Sequence, residues 1–232
     1  MTRGILIAGN ESSLFSAIAA ETAKRVESYA SAPIPNRFSL PESAGSPASR
    51  MEAAGGSIPL TWNPTSPISA RTLVLAAENR LGQINDAILI CSPPPIYKGA
   101  EALTPEEVEV LVNNHIKGWF FLVRELVLYF RHLKAGSLSM VVPEIVQPRK
   151  SARGKNFQVD LLGPAAAASF RAFGQSVLVS SANEHCHPMG FSGCESGLEA
   201  GFAEWLFRII DRGAKKNSGR WHQYKKRGLF RR

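Results

Sequence analysis

Two aliphatic runs, Gly4-Ile5-Leu6-Ile7-Ala8 and Asp86-Ala87-Ile88-Leu89-Ile90-Cys91, set the strongest limit on how this chain can fold. A strand that is apolar at consecutive positions has no face for water and must be covered on both sides, as happens in a parallel sheet. Each run ends in a break, and helical spacing follows. After Gly9-Asn10-Glu11-Ser12-Ser13, apolar residues recur at Leu14, Ile18 and Val26 with alanines between. Strand, polar turn and helix in that order make the first half of a βαβ unit.

The same alternation continues. Ala70 to Leu81 reads as a helix closed by Gly82. Thr104-Pro105-Glu106-Glu107 has an N-cap threonine, proline at the first helical position and a glutamate to close the capping box. That helix runs to Lys134, with a break near Gly118, and Gly136 ends it. Leu138 to Val142 reads as a strand, Pro164 to Ser181 as an alanine-rich helix, Gly201 to Ile210 as a helix, and Arg220 to Tyr224 as a short last strand. Strands alternating with helices predict an α/β fold: one doubly wound, Rossmann-like parallel sheet with helices on both faces. The expected single domain covers residues 1–211, followed by a basic segment at 212–232. Residues 31–69 differ in texture, holding seven of the fifteen prolines. Only Arg37-Phe38-Ser39-Leu40 and Ser57 to Thr61 look like strands there, and the rest reads as irregular.

Composition narrows the functional classes. The net charge of +8 suggests a nucleic-acid binder until it is located. Nine Lys/Arg and no acids lie between Arg212 and Arg232, leaving 18 basic and 19 acidic groups in the body, which is electrically balanced. The longest apolar stretch, Trp119 to Phe130, is interrupted by Arg124 and Glu125, too short for a membrane span. Met1-Thr2-Arg3 leads directly into the first strand without a cleavage site, and the three cysteines Cys91, Cys186 and Cys194 suit a reducing compartment. The expectation is a cytoplasmic protein.

The order and spacing of these pieces resemble the short-chain dehydrogenase/reductase family over nearly the whole chain. Leu6 to Phe15 sits where that family has its Thr-Gly-x-x-x-Gly-x-Gly turn. Ile58 to Pro64 resembles the third strand and its Asp-containing turn, and Asp86 to Pro93 the strand ending in Asn-Asn-Ala-Gly. His115-Ile116-Lys117-Gly118-Trp119-Phe120 resembles the Asn-x-x-Gly-x-Phe start of the long interface helix, and Ser218-Gly219-Arg220 with Gly228 the terminal strand.

The resemblance implies hydride transfer with NAD(P), using a tyrosine as acid/base, a lysine four residues later to lower its pKa, and a serine to polarise the carbonyl. Four residues after Tyr29, Tyr97, Tyr129 and Tyr224 stand Pro33, Glu101, Leu133 and Gly228, so no Tyr-x-x-x-Lys exists. The alignment puts Gly163 at the tyrosine position, Ala167 at the lysine position, Val142-Pro143 at the serine, and His115, beside Asn114, at the helix asparagine. In the cofactor turn Gly9 is kept, while Ser13 and Phe15 replace the other glycines, and a Phe there would obstruct the approach to a pyrophosphate. Residues that would contact a cofactor are Gly9, Asn10, Ser12, Ser13, Leu14, Cys91 and Ser92, with Glu42 for a ribose hydroxyl. The short link from Ser192-Gly193 to the helix at Gly201 leaves little room for a lid.

These readings favour a catalytically silent binding, scaffolding or regulatory subunit with no cofactor. NAD(P) is retained as an alternative, with a non-standard acid/base at His115 or the lysines of Arg149 to Lys155. A second alternative is an adaptor for nucleic acid or an anionic surface through 212–232. The resemblance also implies a homodimer or tetramer through helices 119–134 and 164–181, with a related active subunit as a further candidate partner. His185-Cys186-His187 with Cys194 has metal-ligand residue types but no common zinc spacing. Cys91 reads as a small buried residue and not as a nucleophile.

Overall fold

The computed structural model describes residues 3–34, 56–144, 160–181 and 185–225. Seven strands form one sheet in the order β3-β2-β1-β4-β5-β6-β7, every neighbouring pair parallel. They are β1 (Ile5–Asn10), β2 (Tyr29–Ile34), β3 (Ser57–Pro59), β4 (Asp86–Ile90), β5 (Ser137–Pro143), β6 (His187–Cys194) and β7 (Arg220–Gln223). Helices α1 (Ser13–Ala23), α6 (Glu199–Asp211) and the short α7 (Ala214–Asn217) are interleaved with α2 (Pro67–Leu81), α3 (Pro105–Val112), α4 (Gly118–Leu133) and α5 (Leu162–Ser180). Among the described residues no helix is long and apolar enough to cross a membrane.

The aliphatic runs feed two cores by simple alternation. Leu6 and Ala8 of β1, with Ala87, Leu89 and Cys91, face the layer of α2, α4 and α5. Ile5 and Ile7, with Ile88 and Ile90, face α1 and α6. Successive side chains in a strand point to opposite faces, so a run apolar at every position serves both layers.

The second strand is Tyr29–Ile34, whose last four residues fall in the stretch expected to be irregular from residue 31; Arg37 to Leu40 lies outside the described residues. Ala30, Ser31, Ala32 and Pro33 carry little intrinsic strand preference, and it is pairing with β1 that makes them a strand. Pro33 is tolerated because β3 pairs only with Tyr29 to Ser31, so no ladder bond is asked of it on that side.

One helix departs from expectation, while the long one breaks beside Gly118 as expected. Helix α1 stops at Ala23, short of Val26. The long helix is divided by a π-turn at Asn113–Lys117, where the Gly118 amide reaches back to the Asn113 carbonyl. The extra residue turns Asn114 and His115 inward, and Gly118 packs against Pro64, where a Cβ would come within 3.1 Å of the proline Cα. The capping box on α3 forms as expected, with Thr104 and Glu107 each satisfying the other's amide.

Candidate functional site

The strand order reverses direction between β1 and β4, so loops diverge there at the carboxyl ends of the strands and leave a crevice. A cleft of about 510 Å³ occupies this place. Five segments line it: the start of α1, the end of β4 through Tyr97, the end of β5, the start of α5, and the turn from β6 into α6.

At the first turn, Ser12 is the N-cap of α1 and its hydroxyl accepts from the Phe15 amide at 3.1 Å. The adjacent Ser13 hydroxyl donates to Oε1 of Glu199, the first residue of α6, at 2.9 Å. Its own backbone amide, then the Ser13 hydroxyl and the Gly197 amide, hold the Glu199 carboxyl below its ordinary range against the opposing effect of burial. Asn10 does not face the cleft: it is buried, and its Oδ1 accepts from the Ser92 amide at 3.2 Å, fastening β1 to the end of β4.

At the start of α5, Asp160 Oδ1 accepts from the amides of Leu162 (3.2 Å) and Gly163 (3.0 Å). This carboxylate satisfies the helix amides that Leu161, the residue before the helix, has no side-chain oxygen to reach. Asp160 also forms an isolated antiparallel bridge with Tyr97, so the two stand together on the cleft wall. Glu144 lies there as well, giving three carboxylates in the lining (Glu144, Asp160 and Glu199) and no lysine or arginine among the described lining residues.

The residues expected to contact a cofactor separate into two groups. Ser12, Ser13, Leu14 and Ser92 line the cleft. Gly9 and Cys91 lie beneath it. A Cβ on Gly9 would stand 2.6 Å from the Ile90 carbonyl oxygen, so this glycine serves strand packing. Cys91 is fully buried, and burial pushes its thiol up to about 12. Phe15 corrects the expected obstruction: its ring is buried in the core between α1, β1 and α6, directed away from the cleft. Sequence reasoning missed Tyr97, Glu144, Asp160 and Glu199. For Asp160 the signal was available, an Asp three residues before a Gly-Pro helix start; for the other three no local pattern exists.

Of the positions that the resemblance gives to the proton-transfer pair, Gly163 is on the cleft wall and Ala167 is buried in the core. Pro143 lines the cleft near the serine position. His115 is not in the cleft; it is buried in the π-turn, and burial holds its imidazole down to about 4. Glu42 and Arg149 to Lys155 lie outside the described residues. Only four residues, 195–198, link β6 to α6.

His187 and Cys194 stand at opposite ends of β6, about 23 Å apart at some 3.3 Å per residue. Among the described residues no three His, Cys, Asp or Glu side chains converge on a common point. The aromatic residues of the last strand are committed to packing: His222 stacks on Phe191 at 5.4 Å, and Tyr224 packs on Phe202 and Trp205 at 5.6 and 5.3 Å.

Solved structures similar to this one include short-chain reductases. The 3-ketoacyl-(acyl-carrier-protein) reductase of Brucella melitensis, complexed with NADH, superposes with a TM-score of 0.72 at 14% identity, covering 95% of this chain and 96% of that one. The chain carries the short-chain dehydrogenase/reductase fold. A short-chain dehydrogenase/reductase from Serratia marcescens matches at TM-score 0.70 and 10% identity, covering 96% of each chain. The NADH-dependent reductase A1-R′ complexed with NAD matches at 0.69 and 12%, covering 96% of this chain and 94% of that one. No family model matches the sequence, and no curated protein does. Two of these neighbours hold NADH or NAD, so the fold is compatible with such a ligand, and the expectation that none binds draws no support from them.

Proposed function

We propose that this chain is a noncatalytic protein built on the short-chain dehydrogenase/reductase fold, acting as a binding, scaffolding or regulatory subunit. The observation that carries the reading is the pair Gly163 and Ala167. Carbonyl reduction needs a proton donor of tuned pKa at the reacting oxygen, and here that position has no side chain while the position of its tuning cation is a buried methyl group. The four-residue link before α6 supports the same reading, since nothing of that length closes over a substrate to exclude water. The lining does not suit a dinucleotide, whose pyrophosphate would face three carboxylates and no described cation. The test is turnover. The full-length protein with NADH or NADPH and a panel of ketones and aldehydes should show no rate above background; multiple turnovers of any of them would overturn the proposal.

Self-association fits this role. Phe120 of α4 is 47% exposed and stacks on Phe173 of α5 at 3.9 Å, with Leu128 (44%) also uncovered on α4. Light scattering at micromolar concentration should give a dimer or larger, and a monomer would remove this part of the reading.

A second reading, an NAD(P)H-dependent oxidoreductase with a displaced proton donor, is favoured by Tyr97, which lines the cleft beside Asp160. Under it, any measured turnover would be abolished by Tyr97→Phe.

A further inference from the structure

Helix α1 follows the first strand at the topological switch point, and the N-terminus of such a helix carries partial positive charge and free amides. In doubly wound folds this is where a ligand's pyrophosphate rests. Here one amide is already taken by the Ser12 hydroxyl, and the first residue of the helix, Ser13, spends its hydroxyl on the Glu199 carboxylate. Glu199 is held in place from its own side too, by packing of α1 on α6, whose side chains share one core.

We infer that Glu199 is a specificity-determining residue that fills the phosphate position of the fold with the chain's own carboxylate and thereby excludes phosphate-bearing ligands from the cleft. The inference goes beyond the noncatalytic reading, because a protein without a proton donor could still hold a dinucleotide. A pyrophosphate brought to the start of α1 would sit beside the Glu199 carboxylate, against a charge of its own sign. The Ser13–Glu199 contact lies at the exposed mouth of the cleft, so the repulsion is screened by salt and is read at low ionic strength, where its relief against a multiply charged pyrophosphate is worth about tenfold in affinity. Asp160 and Glu144 across the cleft add charge of the same sign.

The experiment is calorimetric titration of the full chain with NADH and, separately, with inorganic pyrophosphate, for wild type, Glu199→Gln, Glu199→Ala and Ser13→Ala. Wild type should show no saturable binding of either probe below about 1 mM. Glu199→Gln and Glu199→Ala should each bind pyrophosphate and NADH about tenfold more tightly, while Ser13→Ala, which keeps the charge, should behave as wild type. Circular dichroism establishes that each variant is folded, and either Glu199 variant alone suffices. Micromolar NADH binding by wild type, no gain in a folded Glu199 variant, or an equal gain in Ser13→Ala would each overturn the inference. Turnover is not read, so a discovered reductase activity would end the noncatalytic reading and leave this result standing.

Discussion

The carboxylate of Asp160 occupies the space that a side chain on Gly163 would need. A Cβ built at Gly163 would collide with Oδ2 of Asp160 and lie 3.2 Å from its carboxyl carbon. The same carboxylate holds the first amides of α5. If Gly163 stands at the phenol position, as the resemblance implies, a helix cap and a catalytic phenol would compete for one volume, and here the cap has it.

Restoring the missing pair should consequently fail. In Gly163→Tyr the Asp160 carboxylate must swing away, and the cap it provides is worth about 1 kcal/mol. In Ala167→Lys an ammonium is forced into the apolar core under α4 and α5 at a site only 3% exposed, which costs at least about 2 kcal/mol. The double variant should unfold at a lower temperature than wild type and show no carbonyl reduction. A finer check is a double-mutant cycle. Gly163→Ala alone should be nearly neutral, because the gain in helix preference, up to about 1 kcal/mol, offsets the lost cap. In an Asp160→Ala background the same substitution should stabilise, since there is no longer a cap to lose.

This pair also marks what a sequence discloses. The sheet, its two-sided burial and most helices were legible because each follows from local spacing: Ile5 to Ala8 serves two cores by alternation, and Thr104 to Glu107 closes its capping box within one turn. Strand β2 was not legible, because Ala30 to Pro33 becomes a strand only by lying between β1 and β3. The lack of Tyr-x-x-x-Lys could be read directly, whereas the residues standing in the cleft instead could not. Ser13 and Glu199 are 186 positions apart, and only the packing of α6 on α1 joins them. Phe15 shows the converse failure. Its position in the turn was right, and its direction was wrong, because an apolar ring at the start of an amphipathic helix goes to the core.

The buried histidine gives a pH prediction. His115 has an ordinary pKa of 6.5 that burial lowers to about 4, and its Nδ1 has no hydrogen-bond partner among the described residues. The folded state thus keeps the ring neutral while the unfolded chain takes up a proton as pH falls below about 6.5. Stability is intact above that value, declines between about 6.5 and 4, and levels off below, by up to about 3 kcal/mol in all. His187 and His222 are also lowered by burial and act in the same direction, and Glu21 and Glu107, held low by their cationic partners, act at more acid pH. The difference between wild type and His115→Leu isolates the one group. Melting temperatures measured from pH 7.5 to 4 should diverge in favour of the variant as pH falls, and parallel curves would contradict the assignment.

Trp221 is the largest side chain that packs the last strand onto the sheet and α5, which gives the sharpest packing test. Trp221 of β7 lies flat on Gly190 of β6, where a Cβ would stand 2.6 Å from Cζ3, and on Gly174 of α5, where it would stand 3.0 Å from the same atom. Its Nε1 donates to the Ser192 hydroxyl at 2.9 Å, and the Arg171 guanidinium covers the ring at 5.2 Å. Complete burial of a tryptophan is worth about 3–5 kcal/mol on truncation to alanine, and this ring is only half-buried, so Trp221→Ala should cost about 2–3 kcal/mol. At about 2–4 °C per kcal/mol for a chain of this size, the melting temperature should fall by about 4–12 °C. Gly190→Ala drives a methyl into the ring and should cost about 1–3 kcal/mol in the wild-type background. With Trp221 already truncated, that methyl enters vacated space, so the same substitution should become neutral or stabilising. Additive losses in the double variant would mean that Trp221 does not rest on Gly190.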